Sequence, residues 1–229
     1  MSGMKRYQIE LTGTTPLIMH RDNLGFSEKV RVWQKDPANK ELSVAGDDRS
    51  PAWTWIGSLY HDEKFITMSA DNLATCIREG GAKVPTGKNK GDQSYKKLSQ
   101  SGIVLDTPEY TLLVDGEQIP LDPIRELIGN TTFADHMAEV EGLGFELLVK
   151  RAKVMMSKHV RVRPLFRNWK VVGTITILDE DMFGLTQDVV QMILNQAGNF
   201  CGLGDWRPGS PKSPGFYGKF TTRLTSIDC

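Results

Sequence analysis

The side chains that could meet a phosphate stand out first. Residues 201 to 220, "CGLGDWRPGSPKSPGFYGKF", set Gly202, Gly204, Gly215 and Gly218 among Arg207, Lys212 and four aromatic residues. Glycine-rich segments cradle nucleotide phosphates when they join a strand to the N-terminus of the next helix, where free N–H groups and the helix dipole favour an anion. This segment instead follows a helical pattern and precedes a strand, and no GKS or GKT occurs in it. Nucleotide chemistry of the P-loop or dinucleotide type is therefore not expected. Two readings stay open: the loop meets the phosphates of a nucleic-acid backbone, or its glycines only allow a tight return from the helix to the last strand.

Charge is distributed in keeping with the first reading. Lys150 to Lys170, "KRAKVMMSKHVRVRPLFRNWK", carries eight Lys/Arg and no acid. Lys83 to Lys97 carries five Lys against one Asp, while Asp106 to Glu146 carries ten acids and a single base, Arg125. A net charge of zero thus conceals two basic blocks and one acidic block. Such a division points to a face that binds a polyanion, or to an acidic face that docks on the basic face of a neighbouring copy. In "KHVRVRPLFRNW" strand alternation is expected to turn Val160 and Val162 inward and Arg161 and Arg163 outward. Tyr95, Phe166, Trp169, Trp206 and Tyr217 are the flat side chains that could stack bases.

Signals for catalysis are sparse. There is no GxSxG and no ordered Ser/His/Asp signature. His20, in "PLIMHRDN", could act as a general acid or base, and Asp22, Asp47 or Asp48 could bind a metal, which keeps a metal-dependent nuclease as an alternative. The simpler reading makes His20 and Asp22 loop residues at a strand end. Cys76, Cys201 and Cys229 are far apart, and the four histidines show no HxH or HExxH spacing, so neither a disulfide framework nor a structural zinc is expected. We assign no catalytic residue, cofactor or resident metal. No apolar run approaches the roughly 18 residues of a membrane span. The start "MSGMKRYQIELTG" enters strand-like alternation directly, so a cytoplasmic protein is expected.

The elements that must position these residues can be outlined. "KRYQIELTG" alternates as a half-buried strand, and a polar, irregular stretch runs from about residue 21 to 50. "PAWTWIGSLYHDEKFITMSA" reads as a strand or hairpin. Ser69 caps a helix "ADNLATCIREGG" with Leu73, Cys76 and Ile77 on one face. Residues 83–102 form an exposed loop, and "GIVLD", "EYTLLVDG" and "EQIPL" read as short strands. The acidic "PIRELIGNTTFADHMAEVEGLG" is weakly helical. "RAKVMMSKHVRVRPLFRNWKVVGTITIL" reads as two long strand stretches separated by Pro164. Thr186 caps an amphipathic helix over "LTQDVVQMILNQAGNF", and "GKFTTRL" is a last strand. The sum is one elaborated α+β domain over 1–229, with 21–58, 83–102 and 107–150 as candidate insertions.

The order of these pieces, a first strand ending in "TPLIMH", a serine-opened helix with Arg78 near its end, and a late amphipathic helix followed by "GLGDWRPGSPKSPGFYGKF", resembles the RAMP superfamily. These are the RNA-binding subunits of CRISPR effector complexes. The sequence is also similar to a group of phage proteins that begin "TPLLMH" and end "GLGDWRP…GRF". The "PGSSLKGALR" wording usual in the first helix of that superfamily is missing, and no histidine aligns with its processing endonucleases. The resemblance implies a modified ferredoxin-like (βαββαβ, RRM-like) core. It also implies a non-catalytic protein, plausibly phage-encoded, that oligomerises as a filament or ring along single-stranded RNA, or else single-stranded DNA. Lys83, Lys88, Lys90, Lys96 and Lys97 would clamp the strand. Lys153, Lys158, Arg161, Arg163 and Arg167 would line its groove, and Arg207 and Lys212 would meet phosphate beside the glycine loop. The alternatives are the nuclease above, or a self-assembling or host-interaction protein without nucleic acid.

Overall fold

Tyr7, Ile9 and Leu11 alternate with polar neighbours, and in the structure all three are buried along β1 (Lys5–Gly13). The computed structural model describes residues 4–87, 93–154, 157–212 and 214–227, with backbone alone at 153, 154 and 157. After β1 come β2 (Leu17–Ile18), α1 (Leu24–Lys35), β3 (Thr67–Ser69), α2 (Ala70–Gly81), α3 (Lys96–Gly102), β4 (Ile103–Leu105) and β5 (Glu109–Val114). Then follow α4 (Asp122–Glu126), α5 (Phe133–Gly142), β6 (Glu146–Val154), β7 (Ser157–Phe166), β8 (Trp169–Ile177), α6 (Glu180–Phe183), α7 (Gln187–Gln196) and β9 (Phe220–Ser226). The chain is mixed α+β, and its paired strands run antiparallel. Among the described residues no helix is long and apolar enough to cross a membrane.

Contacts group the chain into two units, one of Met1–Leu17, Thr67–Gln118 and Arg167–Cys229, the other of Ile18–Ile66 and Ile119–Phe166. Of the expected insertions, 21–58 and most of 107–150 belong to the second unit and 83–102 to the first.

The first unit is built on a sheet with strand order β3-β5-β8-β1-β9, and β4 also pairs with β8. Tyr7 lies opposite Ile175, and Leu11 opposite Val171, so one face of the sheet is an apolar stripe. The other face presents Gln8, Glu10 and Thr12 beside Thr174, Val172 and Lys170, and carries no aromatic ring at these positions. Helices α2 and α7 form where their caps and apolar faces lead one to expect. Ser69 Oγ accepts from Asp71 N–H at 3.2 Å, and Thr186 Oγ1 from Val189 N–H at 3.4 Å. The faces meet at Cys76, whose Sγ lies 3.7 Å from the Ala197 carbonyl oxygen. Burial there pushes the Cys76 thiol well above its ordinary value.

The second unit centres on the β6–β7 hairpin, in register from Glu146 opposite Leu165 to Val154 opposite Ser157. Beneath it Phe145 stacks on Phe166 at 5.1 Å between ring centroids, and Trp55 meets Phe145 edge-on at 6.0 Å. Trp55 Nε1–H donates to His136 Nδ1 at 3.1 Å, and His136 Nε2 lies 3.0 Å from the Asn130 carbonyl oxygen. A carbonyl only accepts, so the proton sits on Nε2 and the buried ring is neutral.

Three local readings are corrected. Of the stretch taken for a strand or hairpin, the first part is a 3₁₀ helix at Ala52–Ser58, while His61 and Ile66 bridge antiparallel and the end is strand β3. Ala52, Trp53, Trp55, Ile56 and Ser58 are all buried, so no periodicity separates helix from strand. The region taken for irregular chain contains α1, capped by Asn23, whose side chain accepts from Phe26 N–H at 3.0 Å. Phe26, Val30 and Trp33 recur at helical spacing and are half-buried, a short stripe that the polar residues around it obscure. Finally, Pro164 does not separate two strands but lies inside β7, and three strands cover the segment. Proline lacks only the N–H, and the Pro164 carbonyl accepts from Met19 N–H at 3.2 Å.

Candidate nucleic-acid interface

The glycine segment is a closely packed return from the π-helical turn Ala197–Cys201 to β9. Gly218 has φ +69°, and a Cβ there would lie 1.9 Å from the Leu203 carbonyl oxygen. A Cβ on Gly215 would lie 1.8 Å from the Trp206 carbonyl oxygen. Backbone donors of this loop are used within it or beside it. Leu203 N–H donates to Gly218 O at 2.9 Å, Gly209 N–H to Cys201 O at 2.9 Å, Gly215 N–H to Arg207 O at 3.1 Å and Gly218 N–H to Pro16 O at 2.8 Å. The N–H groups of Gly209, Gly215 and Gly218 are therefore spent on the protein itself, and these glycines permit close backbone approach.

What the loop turns outward is side chains. Phe216 is 57% exposed and stacks on Tyr217 with centroids 4.2 Å apart and an interplanar angle of 26°. Tyr217 in turn lies 6.5 Å from Trp206. Lys212 is exposed, whereas Arg207 is half-buried, giving a hydrogen bond to Gly204 O at 3.3 Å and lying 3.9 Å from Glu79. Arg207 thus braces the loop onto α2. Sequence reasoning named Trp206 and Tyr217 and passed over Phe216, although the neighbouring glycines exclude a strand position that would bury it. Tyr95, Phe166 and Trp169 are core residues.

Around the same unit, Lys83 is exposed with Nζ 5.8 Å from the centre of the Phe200 ring, itself 54% exposed. Lys96 and Lys97 are exposed at the start of α3, which replaces part of the expected loop, and Arg167 is exposed. Lys88 and Lys90 lie outside the described residues.

In the second unit the basic block forms the hairpin. Register places Lys150 opposite Arg161 and Lys153 opposite Lys158. Arg151 and Lys158 are exposed; the Lys153 side chain lies outside what is described. The expectation that Arg161 and Arg163 both face outward is corrected. Arg163 is buried at 8% exposure and Arg161 is half-buried, because Asp48 reaches both. Its carboxylate accepts from Arg161 Nη1 at 2.8 Å, Arg163 Nη1 at 3.0 Å and Val162 N–H at 3.1 Å. Asp47 is held by Arg49, which lowers the pKa of its carboxyl. The acids considered for a metal are thus engaged by arginines at 47 and 48, and no group of three metal-ligating side chains occurs among the described residues. His20, Asp22, Asp48, Arg161 and Arg163, which sequence reasoning divided between two hypotheses, line one cavity of about 370 Å³.

No protein-family model matches the chain, and no curated protein matches it at a significant level.

Proposed function

We propose that the protein binds single-stranded nucleic acid, RNA first and single-stranded DNA as the alternative, without cleaving it, and that copies assemble along the strand. The β6–β7 hairpin is the observation that carries this reading. The hairpin gathers Lys150, Arg151, Lys153, Lys158 and Arg161, with Lys153 opposite Lys158 and Lys150 opposite Arg161 in register, and of these Arg161 is already paired with Asp48. A phosphate backbone laid along the hairpin would meet the exposed Arg151 and Lys158. Exposed Phe216, stacked on Tyr217 beside Lys212, adds a surface of the kind on which bases stack. The element order β1, α2, β5, β8, α7, β9 with spatial order β9-β1-β8-β5 is that of a βαββαβ core, which supports the ferredoxin-like reading and the RAMP resemblance.

The test is fluorescence anisotropy with labelled oligouridine and oligothymidine across a salt series. Binding should weaken steeply with salt, and the double variant R151E/K158E should lose at least about tenfold in affinity and lower the salt slope by about 2. Its stability should not fall, since a like-charge pairing is relieved. Absence of binding by the wild-type protein at low salt overturns the proposal. Labelled strands should stay intact on incubation with Mg²⁺ or Mn²⁺.

A further inference from the structure

A cavity of about 370 Å³ opens in the second unit among the N-terminal end of α1, the 3₁₀ helix Ala52–Ser58 and strand β7. We propose that it binds a phosphomonoester attached to an apolar or aromatic body, a ligand the size of a mononucleotide. Three observations lead there.

The first is charge. Arg21, Arg161 and Arg163 line the cavity against Asp22 and Asp48. At its floor a single carboxylate, with 12% of its side chain exposed, serves two guanidinium groups at 30% and 10%. Cations brought out of water in excess of anions cost free energy that a further anion offsets. The second is donor geometry. Asp48 takes one nitrogen of the half-buried Arg161, and a guanidinium has five N–H donors in a planar fork suited to phosphate oxygens. Arg163 Nη2 lies 3.3 Å from His20 Nε2. Since arginine only donates, that nitrogen accepts, and the His20 proton sits on Nδ1. Ser58 and Thr54 add hydroxyls to the lining. The third is the remaining wall. Phe26 and Val30 face the cavity, and the Phe26 ring is held edge-on against Trp53 at 5.5 Å. An anion-binding floor beside a fixed aromatic wall, in a volume at the small end of ligand pockets, suits a phosphate joined to a flat or apolar group rather than a bare ion.

The same phosphomonoester occurs on a free mononucleotide and on the 5′ end of a strand, and the experiment separates them. Calorimetric titration of the full chain would use adenosine 5′-monophosphate, adenosine, inorganic phosphate, and one oligonucleotide with either a 5′-phosphate or a 5′-hydroxyl. The monophosphate should bind at least about tenfold more tightly than adenosine or phosphate. A comparable gain for the 5′-phosphorylated strand over its 5′-hydroxyl form identifies a strand end; a gain for the mononucleotide alone identifies the free ligand. R161Q should weaken monophosphate binding by about tenfold, and R21Q, at the rim and outside the Asp48 cluster, covers the case in which R161Q does not fold. R151E/K158E should leave monophosphate binding within about twofold, so failure of strand binding and failure of this site are distinguishable. The proposal falls if neither the monophosphate nor the phosphorylated strand end binds, or if binding is unchanged in R161Q or, where that variant does not fold, in R21Q.

Discussion

Two segments of this chain, residues 201–220 and 146–166, carry basic and aromatic residues and look alike as candidates for phosphate binding. They use those residues in opposite ways. In the glycine segment the backbone donors close on the protein itself, and its arginine braces a neighbouring helix. In the hairpin the strands pair in register, with basic positions opposite basic positions and Arg151 and Lys158 exposed. A glycine-rich loop is thus a poor guide to phosphate when its N–H groups are spent, whereas exposed basic side chains on a regular strand pair remain open to an anion.

The largest effect should fall on the glycine segment. In G218A the new Cβ would lie 1.9 Å from the Leu203 carbonyl at a φ of +69°, so the hydrogen bond from Leu203 N–H to Gly218 O must break or shift. Urea denaturation should report a loss of about 3 kcal/mol or more. A variant as stable as wild type would show the return to be pliable, and the contrast with the hairpin would collapse.

This comparison also marks where sequence was legible. Helices α2 and α7 were readable because Ser69 and Thr186 cap amphipathic faces, and β1 because burial alternates along it. The 3₁₀ helix was not, because a segment buried on nearly all sides has no period, nor was α1, whose stripe of Phe26, Val30 and Trp33 is short and only half-buried. The basic and aromatic residues of the glycine segment and of the hairpin stand out by type, but their partners come from distant chain. Asp48 lies over a hundred residues before Arg161 and Arg163, and no local pattern indicates that it turns Arg163 inward. Likewise nothing local brings His20 and Asp22 to the same cavity as those arginines.

A smaller effect distinguishes the second unit by pH. His136 accepts the Trp55 indole N–H on Nδ1, and burial lowers its pKa from the ordinary histidine value. Protonation would set N–H against N–H and add a charge to the core. The unfolded chain binds this proton more readily than the folded one. Stability should therefore be fully present above about pH 6.5 and fall as pH drops from there through the folded-state value. Trp55 belongs to the 3₁₀ helix that supplies Thr54 and Ser58 to the cavity, which ties that wall to the protonation of His136. Denaturation midpoints at pH 7.5 and 5.5 should differ in the wild type and converge in H136Q. Equal slopes in both proteins would place the acid sensitivity elsewhere.

The smallest effect on folding, and the one that sharpens the comparison most, belongs to Phe216. Its ring is 57% exposed and rests on Tyr217, so F216A should change stability by no more than about 0.5 kcal/mol. If a base stacks there, affinity for a single strand should nonetheless fall by about 1–3 kcal/mol, equally for uridine and thymidine runs and with the salt slope unchanged. R151E/K158E should do the reverse, lowering the slope. Loss of affinity in both variants would give each segment its own part in strand binding, the first stacking bases and the second following phosphates. Unchanged affinity in F216A would leave the glycine segment with a single task, closing the return from α7 to β9, and leave the hairpin to bind the strand by charge alone.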